Sequence, residues 1–235
     1  MVKKPYIKKI SEVAGFTVWL VNGYFIRRKI EKDFTNYAQH YQFKFIPKDE
    51  FWIDVESTKR KETEYYIQSM LLMNKLIKEG IPRKKAARIA CEIEEAEREK
   101  SKRIKKIEKE KKDEQKILKK IHKKLIKRVS GGKYKVWIVK GELVRALFYT
   151  DFTQGGHEFV YDFVPKGEVW IDDDLYKKEI PFVLIHELHE RRLMSQNMSY
   201  EKAHAKANIL EYSCRNKPEK TQEVLKKEIK INEKI

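Results

Sequence analysis

The chain has 235 residues, 41% of them hydrophobic and 11% aromatic, which is room for one large domain or two small ones with real cores. Charged residues make up 38%, and 53 Lys/Arg against 36 Asp/Glu leave a net charge of +17, pointing to an acidic partner such as nucleic acid, an anionic membrane face or an acidic protein. Two cysteines, Cys91 and Cys214, stand outside any CxxC pair, which argues against a disulfide scaffold or a Cys-ligated zinc and fits a reducing compartment, and no run approaches the roughly 20 apolar residues that span a bilayer.

Met1–Ile10 lacks an apolar stretch of signal-peptide length. The expectation is a soluble, cytoplasmic protein with no membrane partner.

Taken in order, the chain repeats itself. Val18-Trp19-Leu20-Val21-Asn22-Gly23 returns as Val136-Trp137-Ile138-Val139-Lys140-Gly141, and Asp33-Phe34-Thr35 as Asp151-Phe152-Thr153. Phe45-Ile46-Pro47-Lys48 returns as Phe163-Val164-Pro165-Lys166, and Trp52-Ile53-Asp54 as Trp170-Ile171-Asp172. The offset is 118 throughout, and 15 of 37 positions agree between 18–54 and 136–172. That period is too long for a solenoid, so each copy is a small domain.

Each copy opens on a short β-run ending in Asn22-Gly23 or Lys140-Gly141, read as a hairpin turn because both turn positions favour positive φ. Return strands follow at Tyr24–Ile30 and Glu142–Tyr149, then strands near 41–46 and 158–164, then short strands at 51–54 and 169–172. Two helices close each copy, at about 62–79 and from Pro82 in the first and at about 177–194 and 200–214 in the second. Gly80 suits a left-handed C-cap and Ser199 an N-cap. The predicted fold class is α+β, a tandem duplication of a ββββαα domain, each an antiparallel sheet with a helix pair, joined by a long basic helix. Copy one covers 1–94, a charged helical linker 95–130, copy two 131–215 and a charged tail 216–235, frayed or a short helix.

The linker stretch Glu95–Arg128 holds 16 Lys/Arg against 7 Asp/Glu. It contains no Gly or Pro, and one helix running on from Pro82 is the simplest reading. Ile104, Ile107, Leu118, Ile121 and Leu125 form a partial coiled-coil heptad, interrupted at Lys111 and Glu114, and Gly131-Gly132 ends the rod. It reads first as a solvated connecting helix and second as a basic rod lying along nucleic acid.

The chemistry sits in Ile185-His186-Glu187-Leu188-His189-Glu190. On a helix, His186 and Glu190 are four residues apart and project from one face, a spacing that lets two side chains hold one ion. Glu187, beside the first ligand, stands where the general base of such motifs stands. His204, on the following helix of an antiparallel pair, is the candidate third ligand, which leaves one position open as in catalytic sites. The implied cofactor is Zn2+, one per chain. In copy one Ser69, Met70, Met73 and Ala87 replace His186, Glu187, Glu190 and His204.

His189 is an alternative ligand to Glu190 or a surface residue. Glu211, seven residues after His204, reads as a solvated Glu, a fourth ligand or a carboxylate holding His204. Gly155-Gly156-His157 replaces Tyr37-Ala38-Gln39. It reads first as a tight turn carrying an exposed His, and second as a substrate loop with His157 as electrophile or extra ligand. Asp173 and Asp174, absent from copy one, could cap the site helix or approach the ion. Asp54 and Asp172 read as cap or turn residues, and the shared tryptophans and phenylalanines as core.

The helix pair resembles a zincin-type metallopeptidase site in its His-Glu-x-x-Glu form, and is similar to the gluzincins in having a carboxylate ligand, with the ligand order His, Glu, His as a departure. The run Phe152…Gly155-Gly156-His157…Phe163-Val164-Pro165…Trp170-Ile171-Asp172…His186-Glu187-Leu188-His189-Glu190…Tyr200…Ala203-His204 also resembles small uncharacterised proteins of phages and bacteria. The resemblance covers copy two and implies a zincin-like domain; a phage-encoded chain would act in the host cytoplasm. The function expected is a metal-dependent hydrolase acting on a peptide or protein, with copy one a degenerate scaffold. The alternative is a non-enzymatic nucleic-acid-binding or protein-interaction protein using the basic segment 95–128.

Overall fold

A computed structural model describes residues 5–60, 62–109, 113–130 and 133–235. The chain divides into two units, Met1–Lys112 with Glu142–Asp151, and Asp113–Gly141 with Phe152–Ile235.

The first unit begins with β1 (Tyr6–Val13) and β2 (Phe16–Val21), then α1 (Gly23–Lys29), β3 (Tyr37–Gln39), β4 (Glu50–Asp54), α2 (Thr63–Lys78), α3 (Arg83–Glu99) and α4 (Lys102–Glu108). The second begins with α5 (Glu114–Ile121), β5 (His122–Leu125) and β6 (Lys135–Val139). Next in the chain is α6 (Gly141–Leu147), grouped from Glu142 onward with the first unit. Then come β7 (Gly155–His157), β8 (Glu168–Asp172), α7 (Ile180–Ser195), α8 (Tyr200–Asn216) and α9 (Thr221–Asn232).

The two sheets have the same plan, ordered β1-β2-β4-β3 and β5-β6-β8-β7. Register follows the sequence repeat. Trp19 lies opposite Trp52 and Trp137 opposite Trp170 across the central pair, and Ala38 opposite Trp52 corresponds to Gly156 opposite Trp170.

The fold class is mixed α and β as expected, but the sheets are not antiparallel throughout. The central pairs β2/β4 and β6/β8 are parallel. A parallel pair needs a crossover, and this explains why the expected hairpins are absent. Asn22 caps α1, its side chain accepting from the Phe25 N–H at 2.9 Å. Gly23 and Gly141 are needed because a Cβ at either would overlap the carboxylate of Asp54 or Asp172. The order within each copy is therefore ββαββαα, with α1 and α6 where return strands were expected. The stretches near 41–46 and 158–164 are turns, and the third strand lies earlier, at β3 and β7.

The single helix expected from Pro82 through Arg128 is instead broken. Helix α3 stops at Glu99, α4 begins after Ser101, and α5 gives way to β5 at His122. Ile104, Ile107, Ile117 and Ile121 are buried, so these pieces are amphipathic and packed rather than a solvated rod. Lys111 and Gly131-Gly132 lie outside the described residues. The tail is helical, with Leu225 in the core of the second unit.

Both faces of the first sheet are covered. Val18, Phe51 and Ile53 pack with Tyr66 and Met70 of α2, while Val21, Ala38 and Trp52 pack with Ile26 of α1 and the loop residues Phe34 and Ile46. In the second unit Val136, Val169 and Ile171 meet Val183, Leu184, Ile185 and Leu188 of α7. Helix α7 also packs against α8 and α9. Enclosure on three sides is what buries polar residues of α7 along with apolar ones. No helix among the described residues is long and apolar enough to cross a membrane.

Candidate metal centre

Helices α7 and α8 form an antiparallel pair whose connection turns at Asn197, in the left-handed region at φ 62°. Gly80 does the same between α2 and α3 at φ 87°. At the far end the pair is locked by a buried ion network. Arg215 of α8 donates to both oxygens of Glu179, at 2.9 and 2.7 Å, and to Glu211 at 2.8 Å. The first unit has the same network in Glu62, Arg98 and Glu94, with Arg145 of α6 also donating to Glu62 at 2.9 Å. Clamping both ends fixes the register of the helices, and with it the meeting of His186, Glu190 and His204.

Those three side chains converge. His204 Nδ1 lies 2.8 Å from Glu190 Oε1 and 3.2 Å from His186 Nε2, and His186 Nε2 lies 3.7 Å from Glu190 Oε1. Ligands on one tetrahedral ion at bond lengths of about 2.0 Å stand about 3.3 Å apart, so the triangle has the size of a tetrahedral face. Imidazole nitrogen and carboxylate donors suit several divalent transition-metal ions. A second group, His157, Glu187 and Glu190, likewise brings ligand atoms within 4.8 Å of one another. Residue groups able to hold a metal ion are thus present.

Each member is held from behind. Glu211 accepts from His186 Nδ1 at 2.9 Å, which leaves Nε2 facing the triangle. Glu211 is part-buried and holds His186 and Arg215 rather than His204. The Phe159 N–H donates to His157 Nδ1 at 3.3 Å, so the His157 proton sits on Nε2 and points to Glu190 Oε2, 3.2 Å away. His157 is fully buried, which corrects the exposed-turn reading; as placed, it orients Glu190. His189 faces elsewhere, toward Glu228 at 2.9 Å and Arg192, and takes no part in the triangle. Asp173 pairs with Lys123 at 2.8 Å, and the position before α7 is held by Glu179, so neither Asp173 nor Asp174 caps the site helix.

Comparison with protein-family models, curated proteins and solved structures finds no match. The chemistry rests on the chain's own residues.

Electrostatics separate the two carboxylates of α7. For Glu190, burial works to raise the pKa, but hydrogen bonds from His157, His186 and His204 outweigh it and hold the carboxyl well below its usual range. Burial pushes Glu187 up to about 8; the charges of Glu190 and Glu211 add to the rise and His186 opposes it. Burial works to lower His186, yet hydrogen bonds to Glu190 and Glu211 raise it to about 10. One carboxylate is therefore held ionised while its neighbour keeps its proton to higher pH.

Room for Glu187 comes from Gly155. A Cβ there would stand 2.9 Å from the Trp170 carbonyl oxygen and 3.1 Å from Glu187 Oε1. In the first unit Tyr37 occupies this register position, its ring stacked on Tyr66 at 4.5 Å. The Gly155-Gly156-His157 substitution was the sequence signal for this arrangement, and a turn-based reading missed it. Nothing in helix periodicity reveals that Glu211 reaches His186.

Proposed function

We propose that the second unit is a metal-dependent hydrolase of the zincin type, taking a peptide or protein substrate, and that the two copies arose from one duplicated ββαββαα domain. The observation that carries the reading is the donor triangle of His186 Nε2, His204 Nδ1 and Glu190 Oε1, with Glu187 beside it and all four residues replaced in the first unit. His186, Glu190 and His204 would hold zinc. The ion would supply Lewis acidity to the scissile carbonyl. Glu187 takes a proton from the attacking water and returns it to the leaving amine, a task its pKa near neutrality suits. Glu211 and His157 keep His186 and Glu190 aimed. The first unit serves as scaffold.

Metal analysis of the purified full chain tests this. About one zinc per chain is expected, lost in His186→Ala and in His204→Ala, together with chelator-sensitive cleavage of a peptide library. A natively folded chain that takes up no metal overturns the reading.

A second reading, binding of nucleic acid without catalysis, is favoured by the exposed Lys116, Lys119, Lys123, Lys124, Lys127 and Arg128 of α5, β5 and the residues after them. It requires affinity for DNA or RNA that falls steeply with salt, and salt-insensitive or absent binding removes it.

A further inference from the structure

The first unit, which lacks the metal donors, contains a cavity of about 690 Å³ near the β1–β2 turn, within the range of about 300–1,000 Å³ typical of small-molecule sites. The second unit shows what fills the same place there. Arg191 donates to Glu158 at 2.9 Å and to Asn232 of α9 at 2.9 Å, with its guanidinium 5.4 Å from the Tyr134 ring and 5.8 Å from the Phe159 ring. The pair is buried, and a planar cation plugs the space.

In the first unit the counterpart of Arg191 is Asn74, which turns back to Gln39 and to the Met70 carbonyl at 3.0 Å and fills nothing. The counterpart of Glu158 is His40. The two ring positions survive as Phe16 and Tyr41, both lining the cavity. The charge balance also differs, net positive here and neutral there. Lys44, Lys48 and Lys78 line the cavity against Asp49 alone, where the second unit has Asp162, Lys166 and Ser195 at the lysine positions. Lys44 Nζ stands 5.8 Å from the Tyr41 ring and Lys78 Nζ 5.7 Å from the Phe16 ring, so cations sit beside both aromatic walls.

From these residues we infer that the cavity of the first unit binds a phosphorylated small molecule with a planar ring, of nucleotide size. The ring takes the place of the Arg191 guanidinium between the Phe16 and Tyr41 positions, and the lysines take the phosphate. Three ammonium groups around one concave space focus a positive field there and raise the local concentration of a multiply charged anion. Phe16 and Tyr41 favour a ring-bearing anion over a bare one. The site is independent of the metal centre, and the inference stands whether or not that centre hydrolyses anything.

The test is calorimetric titration of the full chain with AMP, ATP and inorganic phosphate, in chelator so that no metal in the second unit contributes. AMP or ATP should bind, with inorganic phosphate at least tenfold weaker. The double variant Asn74→Arg, His40→Glu rebuilds the pair found in the second unit and plugs the cavity; it should lose at least tenfold in affinity. Should that variant fail to fold, Lys44→Glu with Lys78→Glu on the rim provides the same readout. No binding of either nucleotide overturns the inference. So does equal binding by the plugged variant and the wild type, which places the ligand elsewhere, or equal affinity for inorganic phosphate, which makes the ring irrelevant.

Discussion

Glu211 accepts a hydrogen bond from His186 Nδ1 at 2.9 Å while Arg215 grips the same carboxylate at 2.8 Å. The counterpart Glu94 is gripped by Arg98 at 2.7 Å, but Ser69 stands at the position of His186, and the Tyr37 hydroxyl donates to Glu94 at 3.4 Å instead. The ion network is thus common to both helix pairs, and the second unit uses it to hold an imidazole.

That relationship predicts a loss of metal affinity without a loss of fold. Glu211→Gln keeps the side-chain shape, and Arg215 retains Glu179. Removing an outer carboxylate of this kind costs about 10–100-fold in affinity. Competition with a chromophoric chelator should show that drop in a variant that still folds, with a melting temperature lowered by the weakened Arg215 contact. Affinity in the wild type should also fall as pH falls, because His186, raised to about 10 in the free protein, must give up a proton to bind an ion. Equal affinity in Glu211→Gln and wild type would show that Glu211 does not support a ligand.

Gly155→Ala is predicted to damage both packing and site. The added methyl meets a backbone carbonyl at 2.9 Å, and the strand has little room to give, since Gly155 pairs with Ile171 in the sheet. Overpacking of this sort costs about 1–3 kcal/mol. Denaturant unfolding should register the loss, and hydrolysis should fall further than stability because Glu187 is the other neighbour of the new methyl. A fully stable, fully active variant would mean that Gly155 is not what makes room for Glu187.

Acid should loosen the C-terminal helix. Burial works to raise the pKa of Glu228, but hydrogen bonds from His189 and Arg192 override it and lower it below 4.5. A carboxyl with a lowered folded pKa contributes stability that is present above its unfolded value and lost as pH falls through the folded one. Glu228→Gln should therefore cost about 1–2 kcal/mol at pH 7, and the gap to wild type should close as pH drops below about 4.5. A gap that persists unchanged at pH 3 argues that the carboxylate charge is not what matters.

Much of the helical architecture was legible, because Gly80, Pro82 and Ser199 mark helix ends, although α7, packed on several sides, carries little apolar periodicity. His186, Glu190 and His204 were legible as a set, since four-residue spacing and an antiparallel pair dictate their meeting. The parallel centre of each sheet was not. Asn22-Gly23 is a strong local turn signal, and the reason for Gly23 is the Asp54 carboxylate, thirty-one residues on, lying where a side chain would go. The basic stretch misled for a similar reason. Lysine composition suggests a solvated rod, whereas Ile117 and Ile121 of α5 are buried. The burial of His157 depends on a strand pairing that the sequence does not announce.

If Glu187 is the base of the proposed hydrolase, its replacement gives opposite predictions for stability and activity. Burial raises its pKa to about 8 from 4.5, so the folded protein holds this proton more tightly than the unfolded chain does. Between those values the folded state carries more protons, and stability must fall as pH rises from about 4.5 to about 8. Glu187→Gln cannot ionise and removes that penalty. The metal-free variant should therefore be more stable than wild type at pH 8, by about 1 kcal/mol or more, and no more stable at pH 4. Activity should move the other way. The variant should keep its metal, because Glu187 is not in the donor triangle, and lose about 10²–10⁴-fold in hydrolysis. The wild-type rate should rise with pH as the carboxyl ionises, from a midpoint that bound metal shifts below 8 by adding positive charge nearby. Thermal melts at pH 4 and 8 and rate profiles on the zinc-loaded chain check both halves. Loss of metal along with activity would instead make Glu187 a ligand, in the group it forms with His157 and Glu190.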